Sequence, residues 1–224
     1  MSSVAIVVPA RAQSTRLPAK MMLSDSGFPL VVHTAARARE AAASSGGLIT
    51  RVAVAADSPE ITEAAEKHGF QAVLTSVTHQ SGTDRIAEAA ASMTEDLFVN
   101  LQGDEPEMPP ATILAMARTL AAGAAPIVTA AYPLNPEHMG DPAVVKVVCD
   151  VSGNALYFSR APIPFLRSDR NAEKLKPLGH FGIYGYTRAM LEGFASWPPG
   201  DLEYVEGLEQ LRFLERGHRI AVVM

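Results

Sequence analysis

Arg11, Ser14, Thr15, Arg16 and Lys20 crowd one short loop near the start of the chain, and no acid precedes Asp25. Two forked guanidinium groups, one point-charge ammonium and two hydroxyls suit a polyphosphate. The loop lacks the spacing of a Walker P-loop and of a G-x-G-x-x-G turn, so side-chain cations and loop N–H groups must do the holding. The same stretch also fits a solvated basic loop. A second loop, Gln102-Gly103-Asp104-Glu105-Pro106, carries the opposite sign. A carboxylate such as Asp104 can hold Mg²⁺, a hard cation that binds through one or two carboxylates plus phosphate oxygens. A strand-terminal turn acid is the alternative there, and for Asp57 the neighbouring Ser58-Pro59 favours a turn or capping role.

Four further groups bear polar chemistry. His79-Gln80-Ser81-Gly82-Thr83-Asp84-Arg85 offers amide, hydroxyl and backbone groups that could read a base edge or cap a helix. Arg160 ends a strand, where it could take a carboxylate bidentately. His180 and the pair Glu209-Gln210 read by default as a structural histidine and a solvated helix face.

The elements that must position these groups alternate. Val4–Val8 is a β-branched run of the kind buried on both sheet faces, and Pro9 is expected to end it. A helix follows over 30–43, a strand over 52–56, a helix from Pro59 with Ser58 as cap, and a strand over 71–74. Thr83 is expected to cap a helix over 84–93. A strand over 97–101, a helix from Pro109-Pro110 to Ala121 and a strand over 127–132 complete the alternation, which points to a parallel sheet with helices on its faces. Beyond Asn135 the pattern changes. Strands over 143–149 and 155–159 flank a hairpin turn, 160–165 is extended, and Arg167–Lys176 reads as a charged, mobile stretch. A strand over 182–186, helices over 188–197 and 203–216, and a strand over 219–223 close the chain.

With 224 residues, 48% hydrophobic and 19% charged, the chain can bury one sizeable core, and a single domain over 1–224 is expected. A formal net charge of −5 argues against broad nucleic-acid binding. The lone Cys149 excludes an intramolecular disulfide and a cysteine metal cluster and reads as a core thiol. The first residues show no secretory signal and no apolar stretch is long enough to span a bilayer, so a cytoplasmic protein without membrane insertion is expected.

The blocks VVPARAQSTRLPAK, HQSGTDRIAE, VNLQGDEPEMPP, GNALYFSRAPIPF, GHFGIYGY and LEQLRFLERG occur in this order. Together they resemble the 3-deoxy-manno-octulosonate (Kdo) cytidylyltransferases over nearly the whole chain. CMP-sialic acid synthetases are similar in the first loop but lack the YFSRAPIP and LEQLR blocks. The resemblance implies an α/β fold of the Rossmann-like nucleotidyltransferase type. Its central sheet would be mostly parallel and flanked by helices, with a β-rich arm, within about 135–186, that forms a homodimer. It also implies the reaction CTP + Kdo → CMP-Kdo + pyrophosphate, with Mg²⁺, for lipopolysaccharide biosynthesis. By the same resemblance Ala10, Arg11, Ser14, Thr15, Arg16 and Lys20 match the triphosphate loop, and Gln80, Ser81, Gly82 and Arg85 the cytosine side. Asp104 matches the metal ligand, with Lys20, Arg16 and Asp104 carrying catalysis. Gln102, Arg160, His180, Tyr184, Glu209 and Gln210 match the sugar side.

Two departures stand out. Ala19 occupies a position where the family usually has glycine. The family also continues past its last strand into a segment bearing a second metal-binding aspartate, whereas this sequence stops at Met224. A truncated sequence is one expectation from that, and a catalytically silent CTP- or sugar-binding protein is the alternative if the chain truly ends there. Another 2-keto acid sugar, 8-amino-Kdo or sialic acid, is the alternative substrate.

Overall fold

The structure is a computed structural model that describes residues 2–13, 17–79, 81–168, 174 and 176–224. Its first strand, β1 (Val4–Ala10), is buried at every position. Val4, Ile6 and Val8 join one apolar cluster, while Ala5 and Val7 join a second. The period of two along a pleated strand therefore feeds two cores, one on each face of the sheet. Each fully buried Val or Ile contributes about 1.5–3 kcal/mol by leaving water, which makes β1 the axis of the fold.

Six more strands extend the sheet around it. These are β2 (Ile49–Ala56), β3 (Gln71–Leu74), β4 (Leu97–Leu101), β5 (Ile127–Pro133), β8 (Leu178–Thr187) and β9 (Ile220–Val223). Their order is β3-β2-β1-β4-β8-β5-β9, and β8 alone on this path runs against its two neighbours. The sheet is thus mostly parallel, as expected. Helices α1 (Leu30–Ala43), α2 (Pro59–Lys67) and α4 (Pro110–Ala121) cover one face. Helices α3 (Gly82–Ala90), α5 (Arg188–Ser196) and α7 (Leu211–Glu215) cover the other, and α6 (Asp201–Glu206) precedes α7. A hairpin of β6 (Lys146–Cys149) and β7 (Ala155–Ser159) hangs from the start of β8 through Lys146–Gly179 and Val147–Leu178. This is the expected β-rich arm.

Several boundaries differ from the sequence reading. Pro9 lies inside β1, paired with Ala55. Proline is tolerated there because the ladder to β4 stops at Val7–Asn100, leaving Pro9 in a stretch laddered on one side only. The cap of α3 is Ser81, which accepts the Asp84 N–H, so Thr83 falls within the helix and is fully buried. Ser58 does cap α2 by position, with Pro59 at the first turn, but makes no side-chain cap bond. The single amphipathic helix expected over 203–216 is two short helices. Gly207 breaks it in the left-handed conformation at φ 62°, where a residue without Cβ carries no penalty. Cys149 is half-buried instead of sitting in the core; burial, seconded by Asp150, pushes its thiol pKa up. Of the segment read as charged and mobile, residues 169–173 and 175 lie outside the described ones.

Candidate active site

Because β1 and β4 are neighbours and parallel, their C-terminal loops open side by side. That places the cationic and the acidic loop across one cleft of about 210 Å³, with Arg11, Ser81, Gly82, Arg85, Gln102 and Asp104 on its walls. Ligands in open α/β sheets bind at this edge. Lys20 Nζ donates to Asp104 Oδ2 at 2.8 Å, and both side chains remain partly exposed. An ion pair so open to water is worth roughly 0–1 kcal/mol, so a charged ligand can displace it cheaply. Lys20 begins a short 3-10 turn whose preceding residue, Ala19, holds φ 52°, ψ 27°. A Cβ is strained in this left-handed conformation.

The acidic loop is pinned from below. The buried Thr34 of α1 donates its hydroxyl to the Gly103 carbonyl at 2.8 Å. Gly103 passes so close to β1 that a Cβ would stand 2.7 Å from the Pro9 carbonyl oxygen. Beside Asp104, the Glu105 carboxyl is pushed up, first by burial and then by Asp104, with Lys20 opposing.

On the opposite wall Asp57, read from sequence as a turn acid, is a brace. Its Oδ1 accepts the Ala12 N–H at 2.8 Å, and its Oδ2 accepts from Arg85 Nη2 at 2.9 Å. Arg85 Nη1 donates to Thr75 Oγ1 at 2.5 Å and to the Ser76 carbonyl at 3.2 Å. The guanidinium expected on the cytosine side therefore ties the first loop to α3. His79, next to the cleft, pairs with Glu88, whose carboxyl is lowered by the Ser76 N–H and by His79. Of the expected nucleotide-side residues, Ala10, Arg11, Lys20, Ser81, Gly82 and Arg85 gather here. Ser14, Thr15, Arg16 and Gln80 lie outside the described residues.

A polar chain, buried at Asn100 and Thr83, leads from the cleft to the sugar-side residues. Gln102 Nε2 donates to Asn100 Oδ1 at 2.9 Å, and Asn100 Nδ2 reaches Thr83 Oγ1 at 3.5 Å. Thr83 donates its one hydroxyl proton to Glu209 Oε1 at 2.9 Å. Burial pushes the Glu209 carboxyl up to about 7, helped by Asp84 and Glu203 and opposed by Thr83 and Arg212. Rings of Phe158, His180, Tyr184 and Tyr186 follow one another at 5.0, 5.3 and 6.0 Å between centroids. Thr129 donates its hydroxyl proton to the Ile183 carbonyl, so the His180 Nε2 at 2.8 Å must be the donor to Thr129. Burial lowers the His180 pKa to about 3, which keeps the ring neutral. Gln210 is buried, and its Nε2 finds no partner among the described residues. Because of the break at Gly207, Glu209 and Gln210 sit in the turn before α7 rather than on a helix face. Arg160 leaves the end of β7 with its Nε on the Glu206 carbonyl and Nη1 on the Pro142 carbonyl.

Thr34 and Asn100 are not singled out by the sequence, Asp57 reads there as a turn acid, and Thr83 reads as a helix cap within the polar loop. Their only signal there was position beside strand ends and loops. Their roles come from partners distant in the chain.

A polyphosphate-sized cleft at strand ends, with cations facing a carboxylate, is the arrangement of a nucleotidyltransferase. The family model described as cytidylyltransferase matches residues 5–220. The chain belongs to the 3-deoxy-manno-octulosonate cytidylyltransferase family. The protein of that name from Polynucleobacter necessarius subsp. necessarius (strain STIR1) is 46% identical over 222 residues, which is 97% of this chain and 85% of that one. The one from Chlorobium luteolum (strain DSM 273) is 47% identical over 226 residues, 97% of this chain and 87% of its own. Among solved structures, a CMP:2-keto-3-deoxy-manno-octonic acid synthetase complexed with CTP superposes with a TM-score of 0.92 at 37% identity, covering 99% of this chain and 89% of that one. A cytidylyltransferase from Leptospira borgpetersenii, at TM-score 0.62 and 17% identity, shares the fold.

Proposed function

We propose that this protein transfers the cytidylyl group of CTP to the anomeric hydroxyl of Kdo, releasing pyrophosphate and forming CMP-Kdo for lipopolysaccharide assembly. The observation that carries the reading is the cleft itself, in which Lys20 meets Asp104 at 2.8 Å across the ends of two parallel strands. Membership of the family supplies the substrates.

In this reading the C2 hydroxyl of the sugar attacks the α-phosphorus, and the bond to the β-phosphate oxygen breaks. Arg11 and Lys20 hold the triphosphate and offset the charge that builds on the departing pyrophosphate. Positioning supplies much of the rate in such a transfer, since the protein forms no covalent bond. Asp57 contributes by fixing the Ala12 N–H and Arg85, and Thr34 by fixing the loop of Asp104. On the sugar side, Arg160 takes the carboxylate, and the unpartnered Gln210 amide suits a sugar oxygen.

Mg²⁺ fits the acidic loop. Asp104 offers a partly exposed hard oxygen, and the described residues hold no cluster of three or more His, Cys, Asp or Glu that would form an all-protein cage. A metal held by Asp104 and completed by substrate oxygens matches that donor set, and when bound it would stabilise phosphate charge.

A homodimer through the β6–β7 arm and a cytoplasmic location belong to the same proposal. The arm leaves Val151 and Leu156 exposed, with Phe165 just beyond it, which supports a second copy packing there. No described helix is long and apolar enough to cross a membrane.

Incubation of the protein with CTP, Mg²⁺ and Kdo should release pyrophosphate and yield CMP-Kdo. Turnover of sialic acid or 8-amino-Kdo in place of Kdo would move the assignment to that sugar, and CTP binding without turnover of any of them would make this a silent binding protein.

A further inference from the structure

Lys146 is a lysine with no exposed surface. Its Nζ donates to three backbone carbonyls, those of Asp141 at 2.9 Å, Val144 at 2.7 Å and Arg160 at 2.5 Å. An ammonium has three N–H donors, so each is satisfied, and none of the three acceptors is a carboxylate. Burial pushes its pKa down, and Asp141 opposes that more than Glu206 does. A buried ammonium that no carboxylate bonds directly is costly to keep.

What the ammonium holds is Arg160, from two directions. It fixes the Arg160 carbonyl directly. Through Asp141 and Val144 it also fixes the segment carrying Pro142, whose carbonyl accepts from Arg160 Nη1 at 2.9 Å. Glu206 grips the other side of the same residue. Its Oε2 accepts the Arg160 N–H at 3.0 Å, its Oε1 accepts from Ser159 Oγ at 2.6 Å, and its own carbonyl accepts from Arg160 Nε at 3.0 Å. The β6–β7 register, which sets Lys146 opposite Ser159, brings the two clamps to one point.

We propose that Lys146 and Glu206 are positioning residues that clamp the Arg160 peptide from both sides and aim its guanidinium at the carboxylate of an acidic sugar. This rests on the reading that Arg160 takes that carboxylate. A long, rotamer-rich side chain anchored at its backbone, its Nε and its Nη1 has lost its freedom before substrate arrives, so less entropy is lost on binding. The clamp is a specificity device. It serves the sugar and leaves the triphosphate loop untouched.

The test compares KM for sugar and for CTP in Lys146→Met, Glu206→Gln, Arg160→Ala and the double variant Lys146→Met/Arg160→Ala. Either clamp variant should raise the sugar KM by about tenfold with the CTP KM unchanged, since misplacement of a positioning group by even an ångström weakens binding and rate. In the Arg160→Ala background, Lys146→Met should add nothing to the sugar KM, because the two act as one unit. A general loss of folding would lower kcat and leave this split absent. If Lys146→Met does not fold, Glu206→Gln decides the matter alone. Equal rises in both KM values, or a further rise in sugar KM in the double variant, would overturn the clamp. An unchanged sugar KM in Arg160→Ala would instead sink the underlying assignment of Arg160.

Discussion

Lys20 Nζ lies 2.8 Å from Asp104 Oδ2, although the two residues are 84 positions apart in the chain. Two loops of opposite sign thus touch across the cleft without either charge being buried. The pair is a resting contact, ready to open when phosphate oxygens compete for the ammonium and a cation for the carboxylate.

Replacing Asp104 by Asn should therefore separate chemistry from stability. Mg²⁺-dependent pyrophosphate release should fall by about a hundredfold or more, in the range seen when one charge-stabilising group is removed. Unfolding free energy should change by about 1 kcal/mol or less, as for exposed ion pairs. Turnover assays and a urea melt check the two halves.

Ala19 holds φ 52° immediately before Lys20. A left-handed conformation costs an alanine about 1–2 kcal/mol, part of which is offset by the greater freedom that glycine has in the unfolded chain. Ala19→Gly should raise stability by about 0.5–1 kcal/mol in chemical denaturation and leave CTP turnover intact.

At Gly103 the opposite change should be harmful. An alanine Cβ would meet the Pro9 carbonyl oxygen at 2.7 Å and Met21 Sδ at 3.0 Å. Backbone cannot yield as a flexible side chain can, so the Asp104 loop must move. Gly103→Ala should cost about 1–3 kcal/mol in stability, the usual range for overpacking. It should also lower kcat by about tenfold or more, which steady-state kinetics would show.

The Glu209 carboxyl predicts a specific pH dependence. Its folded value of about 7 lies above the ordinary 4.5, chiefly through burial. The folded state thus binds the proton more tightly than the unfolded one. Its contribution to stability is fully present below about 4.5 and lost as pH rises through about 7. His180 acts with the opposite sign. Its folded value of about 3 lies below 6.5, so its contribution is present above 6.5 and lost as pH falls toward 3. Stability curves of Glu209→Gln and the parent protein over this range should therefore diverge as pH rises from 4.5 to 7, with the variant gaining on the parent. Parallel curves would count against an elevated Glu209 pKa.

Much of this was legible in the chain. The apolar run from Val4, the missing acids before Asp25, and the bounds of α1, β3 and β4 follow from local patterns, because they depend on neighbours a few residues away. Gly207 was visible as a glycine, but the periodicity of 203–216 masked the break it makes. Asp57 looked like a turn acid because its partners, Ala12 and Arg85, are 45 and 28 residues distant. Thr83 looked like a cap for the same reason: its acceptor, Glu209, is 126 residues away.

The sequence alone determined which side chains carry charge at strand ends, and so that a cationic loop and an acidic loop exist. Tertiary structure decided that they face each other, through the parallel pairing of β1 with β4. It also decided that Lys146, a charged residue within the expected strand over 143–149, is buried with its ammonium filled by three carbonyls. Strand order and burial arise from contacts summed over the whole chain. A local window of residues carries no record of them.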